Sequence, residues 1–188
     1  MATLRTFIAL ETPEAERKLF SQIQSTLKES DADVKWEHES KFHTTIKFLG
    51  DTKEDLLPRI KANIAEIGKE HSPFVLTFDS VGFFPNWHNP RIVWIGCNTH
   101  IPTVSHIKTR LDSILAPIGF EVENRPFHPH ITLGRIKGDN GVKHLLSIAE
   151  SLTFEPSTIE MKELILMRST LRPEGSEYSI VEKFKLGT

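Results

Sequence analysis

Apolar residues recur along the chain with two spacings, one typical of helices and one typical of strands. Leu56, Ile60, Ile64 and Ile67 follow the helical spacing, and Pro58 fits that helix only in its first turn. Together with helix-starting prolines and helix-ending glycines, the pattern predicts four helices: from Thr12-Pro13-Glu14 to about Lys28, from Thr52 to Gly68, from Thr103 to about Leu115, and over 142–151.

Segments rich in β-branched and aromatic residues predict strands between these helices. They cover 4–10, 34–37, 42–49, 72–84, 91–97, 120–125, 130–136, 159–172 and 177–186, with a tight turn at Pro173-Glu174-Gly175 before the last. Strands outnumber helices, and the last two are joined by a tight turn, so we expect largely antiparallel sheets and an α+β fold. No low-complexity linker divides the chain, so residues 1–188 are expected to form a single domain.

The amino-acid composition argues against several classes of protein. The 188 residues have a net charge of −2, which argues against a protein that coats long stretches of nucleic acid. Cys97 is the one cysteine, so no intrachain disulfide can form, in agreement with a reducing compartment. No stretch approaches the roughly 20 apolar residues of a membrane span, and the first residues do not resemble a signal peptide. A cytoplasmic protein without membrane partners is expected.

One short motif occurs twice at equivalent places in the predicted pattern. His43-Thr44-Thr45-Ile46 and His130-Ile131-Thr132-Leu133 both read His-x-Thr followed by an apolar residue, and they begin 130 − 43 = 87 residues apart. Each lies on a predicted strand followed by a glycine and then a helix. Side chains alternate along a strand, so each histidine shares a face with its threonine. If the two halves pack about a pseudo-twofold axis, both His-Thr pairs face each other across a groove around one small anion.

These residue types suit the opening of a cyclic phosphate. One group must take a proton from water and another must give a proton to the departing oxygen, and two histidines with ordinary pKa values of ~6.5 can divide those roles near neutral pH. The hydroxyls of Thr45 and Thr132 can donate to the free phosphate oxygens. Because the motifs are nearly symmetric, their residues alone do not decide which histidine is acid and which is base.

The flanking segments FHTTIKFLGD (42–51) and RPFHPHITLGR (125–135) closely resemble the two signatures of the two-histidine (2H) phosphoesterases, and in particular the RNA 2′,3′-cyclic phosphodiesterases, also named 2′-5′ RNA ligases. The resemblance implies a bilobal α+β fold in which pseudo-twofold related sheets, flanked by helices, border a cleft between the lobes. It also implies hydrolysis of RNA or nucleoside 2′,3′-cyclic phosphate ends to 2′-phosphomonoesters, with His43 as proton donor and His130 as proton acceptor. Thr45, Thr132 and Arg135 fall on phosphate-binding positions. The partners expected are RNA 3′ ends or nucleotides, with no cofactor, and the protein is expected to be a monomer.

The sequence alone leaves other functions open. The chain could join RNA ends through a 2′-5′ bond, act on another cyclic phosphate, or bind RNA ends without turnover. His128 stands two residues before His130, but no Cys or acidic residue completes a zinc ligand set there, so no metal is expected and His128 is expected to point away from His130. Trp94 and Phe48 are expected in the core.

Overall fold

Strands and helices succeed one another in a similar order in each half of the chain. The computed structural model describes residues 2–98, 102–173 and 175–187. In these residues the strands are β1 (Thr3–Glu11), β2 (Val34–Trp36), β3 (His43–Lys53), β4 (Phe74–Phe78), β5 (Ser80–Phe84), β6 (Ile92–Gly96), β7 (His130–Ile136), β8 (Ser157–Met161), β9 (Glu163–Arg172) and β10 (Gly175–Lys185). The helices are α1 (Glu14–Lys28), α2 (Leu57–Glu70), α3 (Pro102–Leu115) and α4 (Val142–Ser151), with short 3₁₀ turns at Glu39–Lys41, Glu54–Leu56 and Ala116–Ile118.

Antiparallel pairing joins most of the described strands into one sheet with the order β10-β9-β1-β3-β7-β6-β5, and β2 pairs with β7. The order is nearly symmetric about the contact between β3 and β7, the two strands that carry the motifs. β1 flanks β3 as β6 flanks β7, while β9 of the second half joins the first and β5 of the first half joins the second. The α+β class with mostly antiparallel strands is therefore confirmed.

Helices cover one face of this sheet and supply the main core. Ile8 and Leu10 of β1 are fully buried there, together with Phe20 of α1, Ile64 of α2 and Leu111 of α3. Helix α1 contacts α4, and α2 contacts α3, which repeats the symmetry of the strands. The four helices were predicted correctly, and Pro58 lies in the first turn of α2 as its position requires. Within the described residues, no helix combines the length and the apolar content needed to cross a membrane.

Three predicted strands differ from the structure. Asp79 interrupts segment 72–84, and Lys162 interrupts segment 159–172. In both segments only the part after the interruption belongs to the main sheet. The parts before the interruptions, β4 and β8, pair with each other in a separate two-stranded sheet. The strand predicted over 120–125 is wrong: the segment has no regular structure and its Val122 is 51% exposed. None of the described strands pairs with it, so its alternation is not enough to form a strand. The predicted turn at 173–175 includes Glu174, which lies outside the described residues.

Candidate active site

The two motifs lie side by side on neighbouring strands. Thr44 of β3 pairs with Ile131 of β7 in antiparallel register. Paired residues in a sheet share a face and their chain neighbours take the other. His43, Thr45, His130 and Thr132 therefore share the face opposite the helices, and continuing the register sets each histidine beside the threonine of the other motif. The two His-Thr pairs lie next to each other within one sheet. The sequence predicts that they face each other across a groove, and they do not.

A β-bulge follows the threonine in both motifs. Ala9 pairs with Thr45 and Ile8 with Lys47, which leaves Ile46 as the extra residue. The second motif has the same irregularity after Thr132, where Leu133 is left unpaired between Thr132 and Gly134. A bulge of this kind re-aims the side chains that follow it.

The bulges decide which residues return to the open face. Lys47 turns towards the helices, where its side chain is buried. Phe48 then points outward and is 69% exposed, so the expectation that Phe48 belongs to the core is wrong. Arg135 stands in the equivalent place after the second bulge and is also exposed. Trp94 is buried, as expected.

Matching hydrogen bonds orient the two imidazoles. Nδ1 of His43 donates to the carbonyl oxygen of Lys41 at 2.6 Å, and Nδ1 of His130 donates to the carbonyl oxygen of His128 at 2.7 Å. A carbonyl oxygen only accepts, so Nδ1 carries the hydrogen in both rings. Each Nε2 is left to exchange a proton with a bound molecule.

Burial affects the charge of both histidines. It lowers the pKa of His43 to about 4, against the opposing hydrogen bond to Lys41 and with a smaller contribution from the charge of His130. Burial also lowers the pKa of His130, helped by the charges of His128 and Arg135. Burial therefore favours the neutral form of both imidazoles.

Aromatic edges flank each histidine, a feature that no sequence pattern indicated. Tyr178 of β10 meets the ring of His43 edge-on at 5.1 Å between centroids, and Phe84 of β5 meets the ring of His130 at 4.7 Å in the same manner. Phe7 of β1 lies 5.0 Å from His43. These contacts join strands distant in sequence, so local patterns could not have revealed them.

One cavity of about 890 Å³ brings the predicted site residues together. His43, Thr45, His130, Thr132 and Arg135 all line it. In the described part of the chain, the hydroxyls of the two threonines have no protein hydrogen-bond partner, so they are available to an anion.

The charged lining of the cavity is mostly basic, which favours a phosphate-bearing ligand. Its basic members are Arg5, Lys41, Arg91, Arg125 and Arg135, with Lys108 buried in its wall and bonded to Asp112, and its acidic members are Glu37 and Glu123. Arg135 already has an acidic neighbour, because its Nε lies 3.8 Å from a carboxylate oxygen of Glu37. At that distance, on an exposed side chain, the pair holds Arg135 only weakly.

His128 lies in the cavity as well. Its ring is nearly parallel to that of His130, with 6.5 Å between centroids, and 4.6 Å from Trp94. The expectation that His128 points away from His130 is therefore wrong. Among the residues described, no three His, Cys, Asp or Glu side chains come together as a metal-binding group.

Known proteins resemble this chain over nearly its whole length. A family model described as LigT like Phosphoesterase matches it twice, over residues 10–94 and 95–178, with one motif in each match. A protein from Methanothermobacter thermautotrophicus named RNA 2′,3′-cyclic phosphodiesterase is 35% identical, covering 97% of this chain and 99% of the relative. One of the same name from Aquifex aeolicus is 29% identical over the full length of both.

Solved structures agree in fold. TT0787 of Thermus thermophilus superposes with a TM-score of 0.81 at 24% identity, covering 98% of both chains. E. coli LigT complexed with 3′-AMP has a TM-score of 0.75 at 22% identity, covering 99% of both. At such identities the likeness concerns the fold alone.

Proposed function

Because the chain belongs to the LigT-like phosphoesterase family, we infer that it is an enzyme with the activity named for its relatives, an RNA 2′,3′-cyclic phosphodiesterase. The resemblance seen in the two motif segments is thereby confirmed. We propose further that the cavity binds the 2′,3′-cyclic phosphate end of an RNA or nucleotide, and that the two motifs hydrolyse it without a metal.

One observation carries this proposal. Two histidines, each anchored through Nδ1 to a carbonyl, stand on adjacent strands of one sheet face with an unpartnered threonine hydroxyl beside each. The cyclic phosphate would lie over this face with its free oxygens accepting from Thr45 and Thr132. Arg135 would add positive charge at the edge. Hydroxyl donors held in place before the reaction stabilise the charge that grows on those oxygens.

The reaction needs one proton taken up and one released. Nε2 of His130 takes a proton from water as the water oxygen bonds to phosphorus. The bond from phosphorus to the 3′ oxygen breaks, and protonated His43 gives its Nε2 proton to that oxygen. The product is a 2′-phosphomonoester, and the two histidines have exchanged protonation states.

The pKa of His43, which burial lowers to about 4, must rise before this step. A negative charge near an imidazole favours the protonated ring, so the bound phosphate raises the pKa of His43 and a proton enters with the substrate. His130 lies beside Arg135, whose charge lowers the pKa of His130. We assign His43 as the acid and His130 as the base from the resemblance of the two motifs to the 2H phosphoesterases, because burial lowers the pKa of both rings and these shifts alone do not distinguish their roles.

A dinucleotide ending in a 2′,3′-cyclic phosphate tests the proposal. We expect His43→Asn and His130→Asn each to lower turnover by ~10²–10⁴-fold, as for loss of a general acid or base, and EDTA to leave wild-type turnover unchanged. His88→Asn, in an exposed loop, is the matched control. Wild-type rates in either site variant, or loss of activity in EDTA, would contradict the mechanism.

We also propose that residues 1–188 act as one domain of two interleaved lobes, an idea supported by the exchange of β5 and β9 between the halves. Action as a monomer in the cytoplasm stays a prediction.

A further inference from the structure

A buried cluster of three charged side chains lies beneath one wall of the cavity. Lys47 of β3 and Lys108 and Asp112 of α3 have side chains only 5%, 7% and 6% exposed. Nζ of Lys47 bonds one carboxylate oxygen of Asp112, and Nζ of Lys108 lies 2.6 Å from the other. Removing charges from water costs free energy that is recovered only when further hydrogen bonds complete each group. The remaining donors of both lysines show what completes this cluster.

Each lysine also holds the backbone of an irregular segment. Nζ of Lys47 donates to the carbonyl of Glu121 at 2.6 Å, and Nζ of Lys108 donates to the carbonyl of Glu123 at 2.5 Å. These carbonyls belong to residues 119–129, here called the wall segment, which leads into His130. Within the described chain, residues 121–128 make no backbone-to-backbone hydrogen bond. Its end near the site is held by His130, whose Nδ1 donates to the carbonyl of His128, and by Cys97, whose amide donates to the carbonyl of Pro129, so the two lysines are the polar attachments of its middle part among the described residues.

Open space borders the wall segment on both sides. Glu123, Arg125, Phe127 and His128 line the catalytic cavity. A second hollow of about 540 Å³ separates residues 122–127 from α3. A segment with space on both sides and few backbone bonds keeps one position only if side chains fix it.

We propose that Lys47, Asp112 and Lys108 form a tether that holds the wall segment in place to receive the substrate. The inference rests on the proposed function and deepens it, since these are positioning residues that act through the segment. Asp112 holds both lysines, and the lysines hold the carbonyls of Glu121 and Glu123. If the wall segment is already ordered, substrate binding does not have to order it, and the free energy of binding is not reduced by that loss of entropy.

Lys47→Met and Lys108→Met test the tether, and Lys61→Met is the matched control. Each cluster variant leaves Asp112 with one lysine, so a neutral pair remains and the methylene stem is retained. Lys61 lies on α2 in a partly exposed pair with Glu182. Two variants that release different carbonyls keep the test decisive if one fails to fold.

Hydrogen exchange and steady-state kinetics are the two measurements. We expect amides of residues 121–128 to exchange faster in Lys47→Met and Lys108→Met, while those of the central strands do not change. With the dinucleotide substrate, KM should rise about tenfold, the effect of ordering one or two more groups on binding, with kcat within about twofold of wild type. Lys61→Met should match wild type in both measurements.

Unchanged exchange in residues 121–128 would overturn the tether. Faster exchange with a fall in kcat and no change in KM would overturn its role in substrate binding and point to an effect on His130. Absence of turnover in the wild type would overturn the proposed function, and with it the kinetic expectation. The exchange experiment would still decide whether the tether exists, so the two failures are distinguishable.

Discussion

Acid should destabilise this protein through His43. Burial holds the pKa of His43 at about 4 in the folded protein, against an ordinary value of 6.5. Above the higher value the ring is neutral in both states and contributes nothing. Between the two values the unfolded chain binds a proton that the folded chain does not, so the free energy of unfolding falls as the pH falls. Below the lower value both states are protonated and the loss levels off.

The size of the loss follows from the same two values. Their separation of about 2.5 pH units, at ~1.4 kcal/mol for each unit, corresponds to about 3 kcal/mol. A domain of this kind has a total stability of roughly 5–15 kcal/mol. Loss of this one contribution should therefore be visible against the titration of all other groups.

Urea unfolding followed by circular dichroism, at about pH 7.5 and about pH 4, measures this contribution. His43→Asn removes the titrating ring, so wild type should lose about 3 kcal/mol more than the variant between the two conditions. His88→Asn is the control, because that ring is exposed to solvent in the folded protein. Parallel pH dependence in wild type and His43→Asn would refute the argument that burial keeps His43 neutral.

Three further predictions follow from the site and its supports. Thr45→Val and Thr132→Val should each lower kcat about 100-fold with a smaller change in KM, because each removes a donor to the developing charge; a rise in KM with unchanged kcat, measured under steady-state conditions, would show ground-state binding instead. Gly134→Ala should reduce the free energy of unfolding by about 1–3 kcal/mol through overpacking, because its Cβ would lie 2.6 Å from a side-chain carbon of Val34 in β2. An unchanged midpoint of urea unfolding would contradict this prediction. Tyr178→Ala should lower kcat at least about tenfold by freeing the ring of His43, the proposed proton donor, while Tyr178→Phe, which keeps the ring edge, should stay near wild type; equal loss in both would assign the effect to the hydroxyl.

The features predicted correctly from the sequence are those set by nearby residues. Helical spacing in α2 and the first-turn position of Pro58 depend on a few neighbours, and so does the alternation that places each motif histidine on the face of its threonine. Matching local patterns in the two halves also indicated the repeat that the symmetric strand order displays.

The features missed depend on pairing between distant segments. The residues before Asp79 and before Lys162 form β4 and β8, which pair with each other and not with the main sheet. The sequence of neither segment alone reveals this pairing. Segment 120–125 has strand-like alternation but no partner strand among the described residues. The aromatic edges against the histidines come from β5 and β10, whose positions in the sheet are not encoded locally.

The bulges explain how a symmetric motif gives an asymmetric site. Each bulge consumes one residue after the threonine, so the residues that return to the open face are Phe48 in the first half and Arg135 in the second. Aromatic rings flank both histidines, and the charge of Arg135 beyond the second bulge also lowers the pKa of His130. The charge of Arg135 favours a neutral His130, which suits the proposed proton acceptor, while burial favours a neutral His43 as well. The repeat supplies two equivalent histidines, and the side chains beyond the bulges give them different surroundings.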